Sequence, residues 1–254
     1  MIRRIHSPSV FCILSSVSSV DVFVAHVRAF GARLEDAGLP LSDAERGRAA
    51  RFHHLSDRWE FVLGRLMARS LLAARTGIAA REFQFIENAH GRPEIAAPPL
   101  ASPLRFNLSH SGGMVACVLG ETKQIGVDVE RLDRQPVDPR VILRYCSDPE
   151  RASLEAMTEA LRHERFLALW TLKEAYVKAR GTGLTLPIRN VSFRMGDDGP
   201  EDVSFNGLDD EARWMFAHTR LEPRHLLAVA AEREPGQEIG LRLRTFGPED
   251  AGLA

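Results

Sequence analysis

The chain reads as an α+β protein of two related lobes with pseudo-twofold symmetry and an active site in the cleft between them. Two observations predict this. Strand-like and helix-like segments are mixed along the 254 residues without strict alternation, which argues against a doubly wound parallel sheet. The chain also repeats itself: Ser42-Asp43-Ala44-Glu45-Arg46 recurs as Ser147-Asp148-Pro149-Glu150-Arg151, and at the same offset, with no gap, Phe61 meets Phe166, Ala74 meets Ala179 and Arg75 meets Arg180. Each copy runs from a Ser/Asp cap through a charged helix to a more apolar helix ending near Gly77 or Gly181. The length suffices for one large domain or two small ones, each burying a core.

Taken in order, residues 20–27 alternate as a first strand, residues 42–51 and 57–76 read as helices, and residues 83–87 and 104–108 as strands. Residues 114–119 and 124–130 read as a strand pair around the turn Gly120-Glu121-Thr122-Lys123. In the second half, residues 149–157 and 161–180 read as helices, followed by strands near 191–195, 214–218 and 226–231. These elements divide the chain into an N-terminal lobe, 20–123, and a C-terminal lobe, 124–232. Residues 1–19 read as a disordered extension, and 233–254, rich in Glu, Pro and Gly, as a loosely attached tail.

Composition narrows the functional classes. A net charge of −1 gives no general pull toward nucleic acid, and the basic residues between 46 and 51 are too local for a duplex-binding surface. Cys12, Cys117 and Cys146 lack Cys-x-x-Cys spacing and sit in apolar contexts, so they read as reduced structural thiols of a cytoplasmic protein. Arg3 and Arg4 before the apolar run at 10–14 imitate a signal peptide only faintly, and no other stretch is apolar enough to span a membrane.

The chemistry lies in separated motifs. In Gly126-Val127-Asp128-Val129-Glu130 the period-two pattern buries Ile125, Val127 and Val129 on one face and projects Asp128 and Glu130 from the other. In Trp170-Thr171-Leu172-Lys173-Glu174-Ala175-Tyr176-Val177-Lys178 helical spacing sets Trp170, Glu174 and Lys178 on one side, a turn apart. Three carboxylates seat a hard ion such as magnesium, and phosphoryl transfer needs cations such as Lys178 and His110 around its spread negative charge. Taken singly, the same residues would also suit a solvated strand face and an ordinary surface Glu/Lys pair. His53 and His54 lack partners at metal-ligand spacing and read as exposed loop or helix-end residues.

The ordered set, His90-Gly91-Arg92-Pro93, Phe106-Asn107-Leu108-Ser109-His110-Ser111, Gly126-Val127-Asp128 and the motif from Trp170 to Lys178, resembles the 4'-phosphopantetheinyl transferase superfamily, in its larger, two-lobed, monomeric, surfactin-type branch. The resemblance runs from about residue 20 to about residue 230. It implies transfer of the phosphopantetheine arm of coenzyme A to a serine of an apo acyl or peptidyl carrier protein, releasing adenosine 3',5'-bisphosphate. Asp128, Glu130 and Glu174 then match the magnesium ligands. Glu174 also matches the proposed base, acting directly or through water, and Lys178 the pyrophosphate contact. Ser109 and His110 match coenzyme phosphate contacts, Arg92 stands near the adenine, and Arg48 and Arg51 match the grip on the 3'-phosphate, a role suited to their bidentate fork. Glu45 departs from the pattern, which has a lysine there, and Arg58 and Arg65 remain alternatives for the grip.

The resemblance thus predicts a magnesium-dependent enzyme with coenzyme A as co-substrate. The alternative is an inactive coenzyme A or carrier-protein binding module, whose mark would be a missing carboxylate or lysine. An unrelated nucleotide phosphotransferase is disfavoured, because no Gly-x-x-x-x-Gly-Lys-Ser/Thr loop is present. Residues 132–145, with Pro136, Val137, Val141, Ile142 and Leu143, offer either an apolar ridge for a carrier helix or ordinary inter-lobe packing.

Overall fold

The computed structural model describes residues 2–4, 18–133, 135, 138–196, 199–221 and 224–253. After β1 (Ile2–Arg4), the first half runs β2 (Ser18–His26), α1 (Val27–Phe30), α2 (Asp43–Ala49), α3 (Leu55–Thr76), the hairpin β3 (Gln84–Glu87) and β4 (Pro93–Ala97), then β5 (Arg105–Ser111) and β6 (Met114–Gly120). The second half repeats the order with β7 (Ile125–Arg131), α4 (Pro139–Tyr145), α5 (Asp148–Glu155), α6 (Glu159–Arg180), the hairpin β8 (Ser192–Gly196) and β9 (Gly199–Ser204), then β10 (Trp214–Leu221) and β11 (His225–Glu232). β12 (Ile239–Thr245) closes the chain.

One sheet has the order β12-β2-β6-β5 and the other β1-β10-β11-β7. Strand alternation gives each sheet two apolar faces. Val20, Val22, Ala116 and Val118 of one sheet meet Ile125, Val127, Val129 and Val229 of the other in a core between the sheets. The opposite faces bury Val115, Cys117 and Leu119 beneath α3, and Phe216, Ala228 and Ala230 beneath α6. The layers are therefore helix, sheet, sheet, helix, with a long helix on each outer side.

The repeat is built into the packing of each helix. Ser42 and Glu45 form a capping box at α2, and Glu45 accepts from Arg69 Nη2 at 2.8 Å; Arg69 also donates to Phe83 O, one residue before β3. Ser147 and Glu150 form the same box at α5, Lys173 Nζ lies 2.8 Å from Glu150, and it donates to Val191 O, one residue before β8. Arg69 and Lys173 are one position closer than the capping boxes are, as are the left-handed caps Gly77 and Gly181. The gapless alignment of the sequence is thus corrected: the link between α5 and α6 is two residues shorter than that between α2 and α3 while α5 is one residue longer than α2, so Phe61 and Phe166 are one place out of structural register.

Where the sheets meet, β5 lies against β7 without a backbone ladder. Side chains take its place: Asn107 Oδ1 accepts from the Val127 N–H at 3.0 Å, Ser109 Oγ from Val129 at 3.2 Å and Ser111 Oγ from Arg131 at 3.2 Å. Three alternate residues of one strand thus satisfy three alternate donors of the other, and at Val127 and Val129 burial would penalise an unmatched donor.

Two expectations about the ends are corrected. The segment beyond residue 232 is not a loose tail: β12 pairs in parallel with β2, Ile239 and Phe246 are buried, and Arg242 donates to Asp21. Alternating Ile239, Leu241 and Leu243 face the inter-sheet core, a period-two signal hidden by the surrounding Glu, Pro and Gly. In the extension expected to be disordered, β1 pairs in parallel with β10, and Ser18 and Ser19 already belong to β2; the rest, including Cys12 and the apolar run, lies outside the described residues.

Candidate active site between the lobes

The site begins with a residue that has no side chain. A Cβ on Gly126 would fall well inside van der Waals contact with Ala175 O and Ala179 N, and 3.0 Å from Ala179 Cα. Glycine therefore lets α6 lie directly on β7. The residues flanking those contacts on α6 are Glu174 and Lys178, and their neighbour on β7 is Asp128.

Asp128 is 4% exposed, and its Oδ1 accepts from Lys178 Nζ at 2.6 Å and Ser109 Oγ at 2.9 Å. Ser109 Oγ in turn accepts from Lys178 Nζ at 2.8 Å, completing its hydroxyl valence. Glu130 Oε1 accepts from Trp170 Nε1 at 3.0 Å and its Oε2 from Ser111 Oγ at 3.2 Å. Burial raises the Asp128 carboxyl above its usual range, with Lys178 opposing and Glu130 adding to the shift. Burial, with the nearby Asp128 and Glu130 charges, pushes Glu174 up to about 7 against the pull of Lys178.

These residues line a cavity of about 420 Å³ together with His110 and Trp170. A second cavity of about 250 Å³ shares Leu108, Glu174 and Lys178 with it and continues toward His90, Gly91, Arg92 and Gly183. One lobe supplies residues 90–110 of this cleft and the other the carboxylates and the lysine.

The remaining expected residues divide. Ser109, His110, Asp128, Glu130, Glu174 and Lys178 converge. Arg92 reaches the cleft wall, but its guanidinium caps the end of α6, donating to Lys178 O at 3.0 Å and Ala179 O at 2.7 Å. Arg48 pairs with Glu87 and lies over the Phe61 ring, Arg51 is exposed, and neither lines the two cavities. Arg65 is buried between Glu45 and Glu87, and Glu45 is a buried cap bound by Arg69, which gives its departure from the family pattern a structural cause. Val141 and Ile142 pack on the C-terminal core while Leu143 is exposed; Pro136 and Val137 lie outside the described residues.

Three further residues support the site, two of which the sequence reading did not single out. Glu60 on α3 holds His110, the Trp170 indole holds Glu130, and Asn88 donates to Gly181 O at 3.1 Å beside the cap of α6. Trp170 was legible as a member of the same helical face, whereas Glu60 and Asn88 act across 50 and 93 residues and leave no local pattern.

Among the described residues, no group of three His, Cys, Asp or Glu is drawn close enough to hold a metal ion as it stands. Lys178 takes the cationic place beside Asp128 instead. The donor set nonetheless fits a hard cation: Asp128 Oδ2 is buried with no hydrogen-bond partner, and Asp128, Glu130 and Glu174 offer carboxylate oxygens on one cavity wall. An acidic cleft with a lysine and a histidine, assembled across two halves of one chain, is the equipment of a group-transfer enzyme acting on phosphate-bearing ligands.

Comparison with known proteins agrees. Residues 124–230 match the 4'-phosphopantetheinyl transferase superfamily, and residues 31–122 the 4'-phosphopantetheinyl transferase N-terminal family. The chain is 32% identical over 221 residues to a 4'-phosphopantetheinyl transferase of Bacillus subtilis, covering 86% of this chain and 94% of the relative. It is 29% identical over 191 residues to the 4'-phosphopantetheinyl transferase Sfp of the same species, covering 75% and 82%. A holo-(acyl-carrier-protein) synthase of Bacillus anthracis, solved with coenzyme A (3',5'-ADP), superposes on 44% of this chain and 98% of its own at a TM-score of 0.38 and 21% identity. The chain belongs to the 4'-phosphopantetheinyl transferase superfamily, in its surfactin-type branch.

Proposed function

We propose that the chain moves the 4'-phosphopantetheine arm of coenzyme A onto a serine of an apo acyl or peptidyl carrier protein and releases adenosine 3',5'-bisphosphate. The observation that carries this is the convergence of Asp128, Glu130, Glu174 and Lys178 with Ser109 and His110 in one inter-lobe cleft. The serine oxygen forms a bond to the phosphorus bearing the pantetheine arm, and the bond from that phosphorus to the bridging oxygen breaks. The serine proton passes to Glu174, directly or through water, and the leaving bisphosphate keeps the bridging oxygen.

Asp128, Glu130 and Glu174 would hold magnesium, which when bound supplies positive charge against the pyrophosphate oxygens. Lys178 stabilises the charge that develops on the leaving phosphate, and Ser109 and His110 contact the coenzyme phosphates. In this reading residues 20–123 chiefly bind coenzyme A and residues 124–232 carry the metal and the catalytic groups. Both walls of the cleft come from one chain, which supports a monomer. We assign the cytoplasm, where the coenzyme and reduced Cys117 and Cys146 are compatible; no helix of the described residues is long and apolar enough to cross a membrane.

The test is intact-mass spectrometry of apo carrier proteins incubated with the chain, coenzyme A and magnesium, with chelator and Glu174→Gln as controls. A metal-dependent gain of one phosphopantetheine arm is expected. No gain on any carrier, with coenzyme A still bound, would favour an inactive binding module.

A further inference from the structure

Glu60 is a carboxylate to which the transfer reaction gives no task. It lies in an apolar stretch of α3 and is 7% exposed. An ion so placed is costly unless both oxygens are matched. Both are: Oε1 accepts the Gly113 N–H at 2.5 Å, and Oε2 faces His110 Nδ1 at 2.7 Å. Gly113 sits in the tight turn between β5 and β6 at φ +86°, where a Cβ would press on the His26 ring. The same carboxylate therefore ties α3 to the turn and to the histidine that β5 carries into the cleft.

We propose that Glu60 is a positioning residue that fixes the His110 ring with its proton on Nδ1, so that Nε2 is the nitrogen presented to the ligand. The tautomer follows from geometry alone; its consequence for transfer rests on the reading of His110 as a phosphate contact. An ionised carboxylate has only acceptors, so Nδ1 must donate. Burial alone would raise Glu60, but the bonds from His110 and Gly113 outweigh it and hold the carboxyl below its usual range. The His110 side chain is 52% exposed, and Glu60 is the anchor that the fold gives it.

Glu60→Gln preserves shape and reverses the hydrogen-bond logic. The amide oxygen is needed by the Gly113 N–H, so the amide NH2 faces Nδ1 and drives the ring proton to Nε2. In histidine-labelled protein, long-range proton–nitrogen spectra at a pH where the ring is neutral read the tautomer directly, with His110 assigned by the signals lost in His110→Asn. The wild type is expected to show Nδ1–H, and Glu60→Gln to show Nε2–H. An Nε2–H tautomer in the wild type, which needs no variant of Glu60 to fold, would overturn the proposal.

Kinetics separate positioning from a structural role in the turn. Glu60→Gln is expected to lower kcat/KM for coenzyme A on the order of 10-fold, and to cost nothing further in a His110→Asn background. Additive losses would assign Glu60 to the turn alone and sink the inference. A switched tautomer with unchanged transfer in both single variants would uphold Glu60 as the anchor and remove His110 from the proposed function.

Discussion

Gly126→Ala tests whether the close approach of α6 to β7 builds the site. The added methyl group would overlap the Ala175 carbonyl and the Ala179 amide, both backbone and unable to rotate away. Restoring ordinary contact requires α6 to retreat by about 1 Å. Glu174 and Lys178 flank the two overlapped residues and move with them, which opens the 2.6 Å contact between Lys178 and Asp128. A misplacement of that size costs roughly 100-fold in rate, and overpacking costs about 1–3 kcal/mol, a fall of roughly 2–12 °C in Tm. Gly64→Ala is the control: its Cβ would meet Leu108 and Val115 at 3.7 Å, an ordinary distance, and a stabilisation of about 0.4–1 kcal/mol with unchanged kcat is expected. Carrier mass shift at saturating coenzyme A and a thermal melt read both quantities. Wild-type kcat and Tm in Gly126→Ala would refute the reasoning.

The other expectations concern the cleft, the buried ion pair, the seam and the rim. Asp128→Asn should abolish transfer with its circular dichroism spectrum and Tm intact; near-normal turnover would dismiss the proposed cation seat. Lys173→Met leaves Glu150 buried without its ammonium and should cost about 3–5 kcal/mol in urea denaturation, much of it recovered when Glu150→Gln is added; equal stability of the single and double variants would argue against the pair. Asn107→Leu strips the Val127 N–H of its acceptor and should cost about 1–3 kcal/mol, seen as faster hydrogen exchange at that amide. Leu143→Ser should raise KM for carrier while leaving KM for coenzyme A unchanged, and an unchanged carrier KM would exclude this exposed residue from docking.

Much of the molecule was legible because its signals are local. The alternation in Ile125 to Glu130 and the helical spacing of Trp170, Glu174 and Lys178 state which side chains share a face, and the structure brings those faces together. Less was legible where a side chain acts on distant backbone. Arg92 carries no mark showing that its guanidinium caps a helix 86 residues away, and Glu60 reads as one charge in an apolar helix until the turn at Gly113 is folded beside it. β12 was hidden for another reason: its partner is the first long strand, and short apolar alternation among Glu and Gly resembles a tail until an open sheet edge receives it.

The duplication also explains why one chain should hold one site. Val20, Val22 and Val24 of β2 occupy the inter-sheet places that Ile125, Val127 and Val129 occupy on β7, so Phe23 and Ala25 stand where the second half has Asp128 and Glu130. The cap-to-helix ion pair survives in both halves, while the acidic face exists in one. Its counterpart, Phe23 and Ala25, packs as hydrophobic filling beneath α3. A calorimetric titration of coenzyme A should accordingly saturate at a single equivalent per polypeptide, because the two halves face one acidic strand rather than two.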